Sequence, residues 1–130
     1  MKTYDLYGID ETDGETTRHL VTELLKIDFQ LHESSYWGEY FRSKWEGNSY
    51  RIISNFHDGV WQEEDHKNFT WLLEVNDVEH PHAIFDAVAT AASSIVFLHR
   101  TEVEEKISSC RYVYRDGEFH AIARSVASSK

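Results

Sequence analysis

Eight histidines, a single cysteine and a large excess of carboxylates are the side chains here with the chemistry to bind or react. The densest histidine cluster is His80-Pro81-His82. Two histidines one residue apart can share a metal in a strand or loop, but this proline is placed to begin a helix and spacing sets no third ligand. His57-Asp58 and His32-Glu33 each set a carboxylate beside an imidazole. Adjacent strand residues point to opposite faces, however, and such pairs seldom share a proton. A small histidine-dependent or metal-dependent hydrolase would have to be built from His32, His57 and His120 with Glu33 or Asp58. Cys110 stands in a strand with Tyr112 and Tyr114 on its face and no basic residue beside it on that face, the setting of a buried structural thiol. Gly-rich phosphate loops, a nucleophile elbow and His-Glu zinc motifs are absent from the sequence. No catalytic residue, metal site or cofactor is therefore assigned, and the chain reads as a binding protein and not an enzyme.

A more informative constellation combines aromatic and acidic residues. Glu33, Tyr36, Trp37, Glu39 and Tyr40 are followed by Asp58, Trp61, Glu63, Glu64 and Asp65. Large aromatics supply interface hot spots, and carboxylates around them steer a cationic partner. Trp37, Phe41 and Trp45 share one face of a predicted strand and read as core. Trp61, between Gly59 and the Glu63-Glu64-Asp65 run, reads as exposed. The candidate binding set is Glu33, Tyr36, Glu39, Asp58, Trp61, Glu63, Glu64 and Asp65. Across the chain 23 acidic residues outnumber 13 Lys and Arg, for a formal charge of −10. Phosphate backbones and anionic membrane surfaces are repelled by such a balance, and a basic macromolecule is the expected partner.

These residues must be positioned by a modest set of elements. Asp13-Gly14-Glu15-Thr16 supplies a cap and early acidic charge, and Leu20, Val21, Leu24 and Leu25 follow at helical spacing, predicting a helix from about Glu15 to Leu25. Ile27, Phe29 and Leu31 alternate with polar residues as a half-buried strand does. A second alternating run spans Tyr36 to Trp45, and Gly47-Asn48 turns the chain into Tyr50 to Asn55. In that strand Tyr50, Ile52 and Ser54 face one way and Arg51, Ile53 and Asn55 the other. Asp58 to Asn68 reads as an exposed loop, and Phe69 to Val75 as a strand.

Pro81 begins a second helix, whose apolar face is Ile84, Phe85, Val88, Ala91 and Ala92, with Ala83, Ala87 and Ala91 allowing close packing on a sheet. Ile95 to His99 either extends this helix or forms a strand, and its β-branched pair after Ser93-Ser94 favours the strand. Cys110 to Arg115 and Glu118 to Arg124 flank Asp116-Gly117, a type I′ hairpin signal that pairs Arg115 with Glu118 and Tyr114 with Phe119. The predicted class is α+β, a mainly antiparallel sheet packed against two helices in a single domain.

The length of 130 residues suits one domain, and 41% hydrophobic and 14% aromatic content suits a folded core. One cysteine leaves no internal disulfide, and Met1 to Asp10 lacks the basic and apolar regions of a signal peptide. No segment approaches the ~20 apolar residues of a membrane span. A cytoplasmic setting is the expectation.

The stretch Leu31-His-Glu-Ser-Ser-Tyr-Trp-Gly-Glu-Tyr-Phe41, with Ile-Ile-Ser-Asn-Phe-His at 52 to 57 and Trp-Leu-Leu-Glu-Val at 71 to 75, resembles small immunity proteins of bacterial polymorphic toxins. The similarity is greatest to those of contact-dependent growth inhibition systems and spans roughly residues 27 to 98. What the resemblance implies is a cytoplasmic protein that binds the C-terminal toxin domain of a cognate effector, often a nuclease, and blocks its active site or substrate cleft. A nuclease presents cationic surface to its polyanionic substrate, so an acidic inhibitor suits it.

Overall fold

The computed structural model describes residues 1–91, 94–104 and 108–126. In chain order these form β1 (Lys2–Ile9), α1 (Gly14–Leu25), β2 (Phe29–Ser34), β3 (Gly38–Ser43), β4 (Gly47–Ser54), β5 (Phe56–His57), β6 (Val60–Trp61), a 3-10 turn (Glu64–His66), β7 (Trp71–Asn76), α2 (Pro81–Ala91), β8 (Ile95–Glu104), β9 (Ser108–Arg115) and β10 (Glu118–Val126). Eight strands make one antiparallel sheet in the order β10-β9-β8-β1-β7-β4-β3-β2, and β5 and β6 form a separate ribbon. The class is α+β. No helix of the described residues is long and apolar enough to cross a membrane.

The first helix starts where its cap residue predicts. Asp13 accepts hydrogen bonds from the Thr16 backbone N–H at 2.9 Å and the Thr16 hydroxyl at 2.7 Å, and Lys26 in the left-handed conformation closes the other end by donating to Thr22 O. Val21 of α1 and Val88 of α2 join Tyr7, Ile9, Phe41, Ile52, Leu73 and Ile95 in the main core, so both helices cover the same side of the sheet. The opposite side is only partly covered. There Ile53, Phe69, Leu72 and Leu98 form a smaller cluster, with Leu6, Trp37 and Tyr40 packed on it. A Cβ added to Gly8 would lie 2.5 Å from the Phe69 ring, so this glycine is the seat on which Phe69 anchors the loop before β7.

Several sequence expectations are met. The hairpin of β9 and β10 pairs Arg115 with Glu118 and Tyr114 with Phe119 across Asp116-Gly117, both of which have positive φ. Ile95 begins a strand, and Ile52 and Ile53 face opposite sides of β4. Arg51 and Ile53 lie on the open side, as the alternation predicts.

Others are corrected. The run Tyr36 to Trp45 contracts to Gly38–Ser43, because the Ser34 hydroxyl accepts the Tyr36 N–H and turns the chain there. Of the three aromatics assigned to one core face, Phe41 alone is in the main core. Trp37 packs on Tyr40 on the open side, and Trp45 is 76% exposed in the turn after β3. That turn is Lys44 to Glu46, and Gly47 with φ 61° is already the first residue of β4. The segment Asp58 to Asn68, expected as an irregular loop, contains β6 and the 3-10 turn. Ala83 and Ala91 are exposed, since Phe85 and Val88 fill the space between α2 and the sheet, while Ala92 and Ser93 lie outside the described residues. Cys110 is half-exposed, and β10 brings the Arg124 guanidinium to 3.9 Å from its sulfur, a neighbour that only strand pairing supplies.

Candidate functional site

Two regions concentrate the polar side chains that the core does not use. The first is the end of the molecule where the turn between β2 and β3 meets the β5–β6 ribbon. His57 packs against Gly38, and Tyr36, Asp58 and Val60 line a shallow groove of about 190 Å³ between the two turns. Tyr36 is 70% exposed, and Phe56 and Val60 are exposed beside it. Glu33 and Glu39 are exposed and face each other directly across β2 and β3, and neither forms an ion pair among the described residues. Glu64 and Asp65 are exposed on the 3-10 turn.

Asn55 organises this end. Its side-chain amide donates to the backbone carbonyls of His66 at 3.0 Å and Phe69 at 2.8 Å and reaches Glu63 O at 3.5 Å, while its carbonyl oxygen accepts the Glu63 N–H at 2.8 Å. One buried amide thereby closes the loop from Phe56 to Thr70 on itself. Sequence inspection missed Asn55, because nothing local marks an asparagine that bonds to residues 8 to 14 positions away.

Among the eight residues nominated for binding, Glu33, Tyr36, Glu39 and Asp58 come together around the two turns. Two nominations change. Trp61 is half-buried, with its ring 4.7 Å from that of Phe56 and the Lys67 ammonium 5.5 Å above it, so Phe56 and Val60 take its place as exposed apolar residues. Glu63 turns inward and bonds His99 Nε2 at 2.6 Å, with a side chain only 20% exposed. The hydrogen bond from His99 holds the Glu63 carboxyl below its ordinary value, against the opposing effect of burial.

The second region is the open face of the sheet. Strand register sets two rows of side chains across it. Arg111, Thr101, Tyr4 and Asn76 form one, and His99, Leu6, Glu74, Arg51 and Arg42 form the next. Arg51 bonds Glu74 at 2.6 Å and lies 4.6 Å over the Trp37 ring. A cavity of about 550 Å³ lies over these rows, with Leu6, Ile53 and Leu72 among its lining.

The histidines nominated for hydrolysis are not gathered. His32 packs on Tyr40 at the β2 edge of the sheet, His57 lies against Gly38, and His120 on β10 bonds Arg115 O at 3.2 Å. Edge strands β2 and β10 are separated by six strands, on the order of 30 Å at the usual strand spacing. No group of three or more His, Cys, Asp or Glu side chains is arranged to hold a metal among the described residues.

The Glu63–His99 bond predicts an acid-side loss of stability. A carboxyl whose folded value lies below its unfolded one contributes stability that is present above the unfolded value and is lost as pH falls through the folded value. The wild type should therefore exceed Glu63→Gln in melting temperature above the ordinary carboxyl value of 4.5, with the difference shrinking at lower pH. Thermal scans at about pH 5.5 and about pH 3 check this, and an unchanged difference would remove the pair's role.

No family model matches the chain, and neither does any curated protein or solved structure with which it was compared.

Proposed function

We propose that this chain is a binding protein, not an enzyme, and that it neutralises a cationic toxin domain of the nuclease kind by covering its active site or substrate cleft. The observation that carries the reading is the Glu33–Glu39 pair. Like charges directly opposite on adjacent strands are destabilising by some tenths of a kcal/mol up to about 1 kcal/mol. A lysine or arginine from a partner set between them relieves that repulsion, and the neighbouring Tyr36 is the type of exposed aromatic that anchors interfaces. Asp58, Glu64 and Asp65 add negative charge on the adjoining loop. The resemblance of residues 27 to 98 to immunity proteins supports the same reading.

Co-purification with the product of the adjacent toxin reading frame tests the proposal, and failure of the purified pair to associate at low salt would end it. Within that complex, Glu64→Lys with Asp65→Lys is expected to slow association about tenfold and to change dissociation little, because exposed rim charges act mainly by steering. Stopped-flow association at two salt concentrations reads this directly. An unchanged association rate would put the interface elsewhere.

A further inference from the structure

The groove between the β2–β3 turn and the β5–β6 ribbon is set by the packing of the two turns on each other. A Cβ at Gly38, whose φ is 71°, would lie 2.7 Å from the His57 ring, so a glycine is what lets the ribbon seat there. Asp58 and Gly59 both have positive φ and join the paired residues His57 and Val60 as a two-residue type I′ turn does. Asp58 is thereby fixed in the groove wall with Tyr36 and Val60, and all three are exposed. Among the described residues Asp58 carries the only carboxylate of the lining, and it forms no ion pair. No lysine or arginine lines the groove, while Ser35 and Gln62 add side-chain oxygens that can accept hydrogen bonds. The volume of about 190 Å³ falls below the roughly 300–1,000 Å³ of small-molecule sites and suits one long side chain.

We infer that this groove anchors one arginine side chain of the partner, its guanidinium on the Asp58 carboxylate and its stem between Tyr36 and Val60. Arginine is favoured over lysine because a planar guanidinium stacks on a tyrosine ring while its fork of N–H donors meets several acceptors at once. An anion is repelled by the Asp58 charge, which no lysine or arginine of the lining balances. That the arginine belongs to a toxin domain rests on the function proposed above. The groove's choice of a guanidinium does not.

N-acetyl-arginine amide is the probe, titrated into the full chain and followed by the backbone amide shifts in two-dimensional NMR. Saturable shifts should centre on residues 35–38 and 57–62. The lysine amide should bind several-fold more weakly, and the citrulline amide, of the same shape without the charge, about tenfold more weakly. Asp58→Asn should lower the affinity for the arginine amide about tenfold, and Asn-Gly suits the same turn, so the ribbon is retained. Lysine or citrulline amide bound as well as arginine amide would overturn the inference, as would shifts centred on Glu64 and Asp65 or an unchanged affinity in Asp58→Asn. In the toxin complex Asp58→Asn should speed dissociation about tenfold and leave association nearly unchanged, the reverse of the effect at Glu64 and Asp65. A complex that dissociates at the wild-type rate in Asp58→Asn would remove the anchor and leave the toxin reading standing. Absence of any complex, with the arginine amide still bound, would remove the toxin reading and leave the guanidinium site.

Discussion

Asn55→Ala is expected to lower the melting temperature by about 10 °C, corresponding to about 3 kcal/mol for a domain of this size. Asn55 is completely buried, and truncation removes partners from the carbonyls of His66 and Phe69 and from the Glu63 N–H at once. An unsatisfied buried backbone group costs about 1–3 kcal/mol, so even with partial access of water the sum is large. Asn55→Asp provides the sharper comparison. It keeps the size of the side chain and the acceptor for Glu63 N–H, but sets a carboxylate oxygen where the amide N–H₂ faced carbonyl oxygens. It should therefore be at least as damaging as alanine, although it is the closer isostere. Urea and thermal unfolding of both variants give the answer, and an Asn55→Asp variant as stable as wild type would show that the amide does not hold this loop. Because the loop carries Asp58, Val60, Glu64 and Asp65, native-state hydrogen exchange should quicken across residues 56 to 70 before it does in the sheet.

Arg100→Met is expected to destabilise the fold by about 3–5 kcal/mol, because it leaves the Asp5 carboxylate buried without a partner. Asp5 is 2% exposed on the central strand and accepts two bonds from the Arg100 guanidinium, which also lies 4.7 Å over the Phe119 ring of β10. Nearby, burial and the negative charge of Asp5 raise the Tyr7 phenol far above its usual range, so it remains neutral. The double variant Asp5→Leu with Arg100→Met removes both charges and should recover most of the lost stability, since a buried ion pair and an apolar pair of similar volume are often nearly equivalent. Denaturant melts of the two single variants and the double one form a cycle. Additive losses in that cycle would mean that Asp5 and Arg100 act separately, contrary to the geometry.

Much of the fold was legible in local pattern. The Asp13 cap, the Asp116-Gly117 turn and the alternation through Tyr50 to Asn55 each determine structure over a few residues, and each is realised. Strand β1 was not legible. It lies between β7 and β8, so Tyr7, Gly8 and Ile9 are buried in succession and no polar alternation marks them, while Asp5 reads as a surface charge until Arg100 is brought beside it from 95 positions away. The β-strand length of the Tyr36 region was overestimated for a related reason: a serine hydroxyl that captures a backbone N–H stops a strand without altering its apolar pattern.

The candidate site divides in the same way. Carboxylate number and aromatic content are properties of the chain, and they alone determined that this is an acidic, aromatic-rich protein. Which carboxylates are available was decided by tertiary structure. Glu63 and Glu64 are neighbours in one acidic run, yet one turns inward to His99 and the other faces solvent, because a residue's direction depends on the loop that Asn55 closes. Glu33 and Glu39 are six residues apart and became a repelling pair only through strand register. Arginines scattered over β3, β4 and β9 gathered on one face for the same reason. Charge count is additive along a chain and can be read from it. Charge placement depends on pairing between distant strands, and only the folded sheet supplies that.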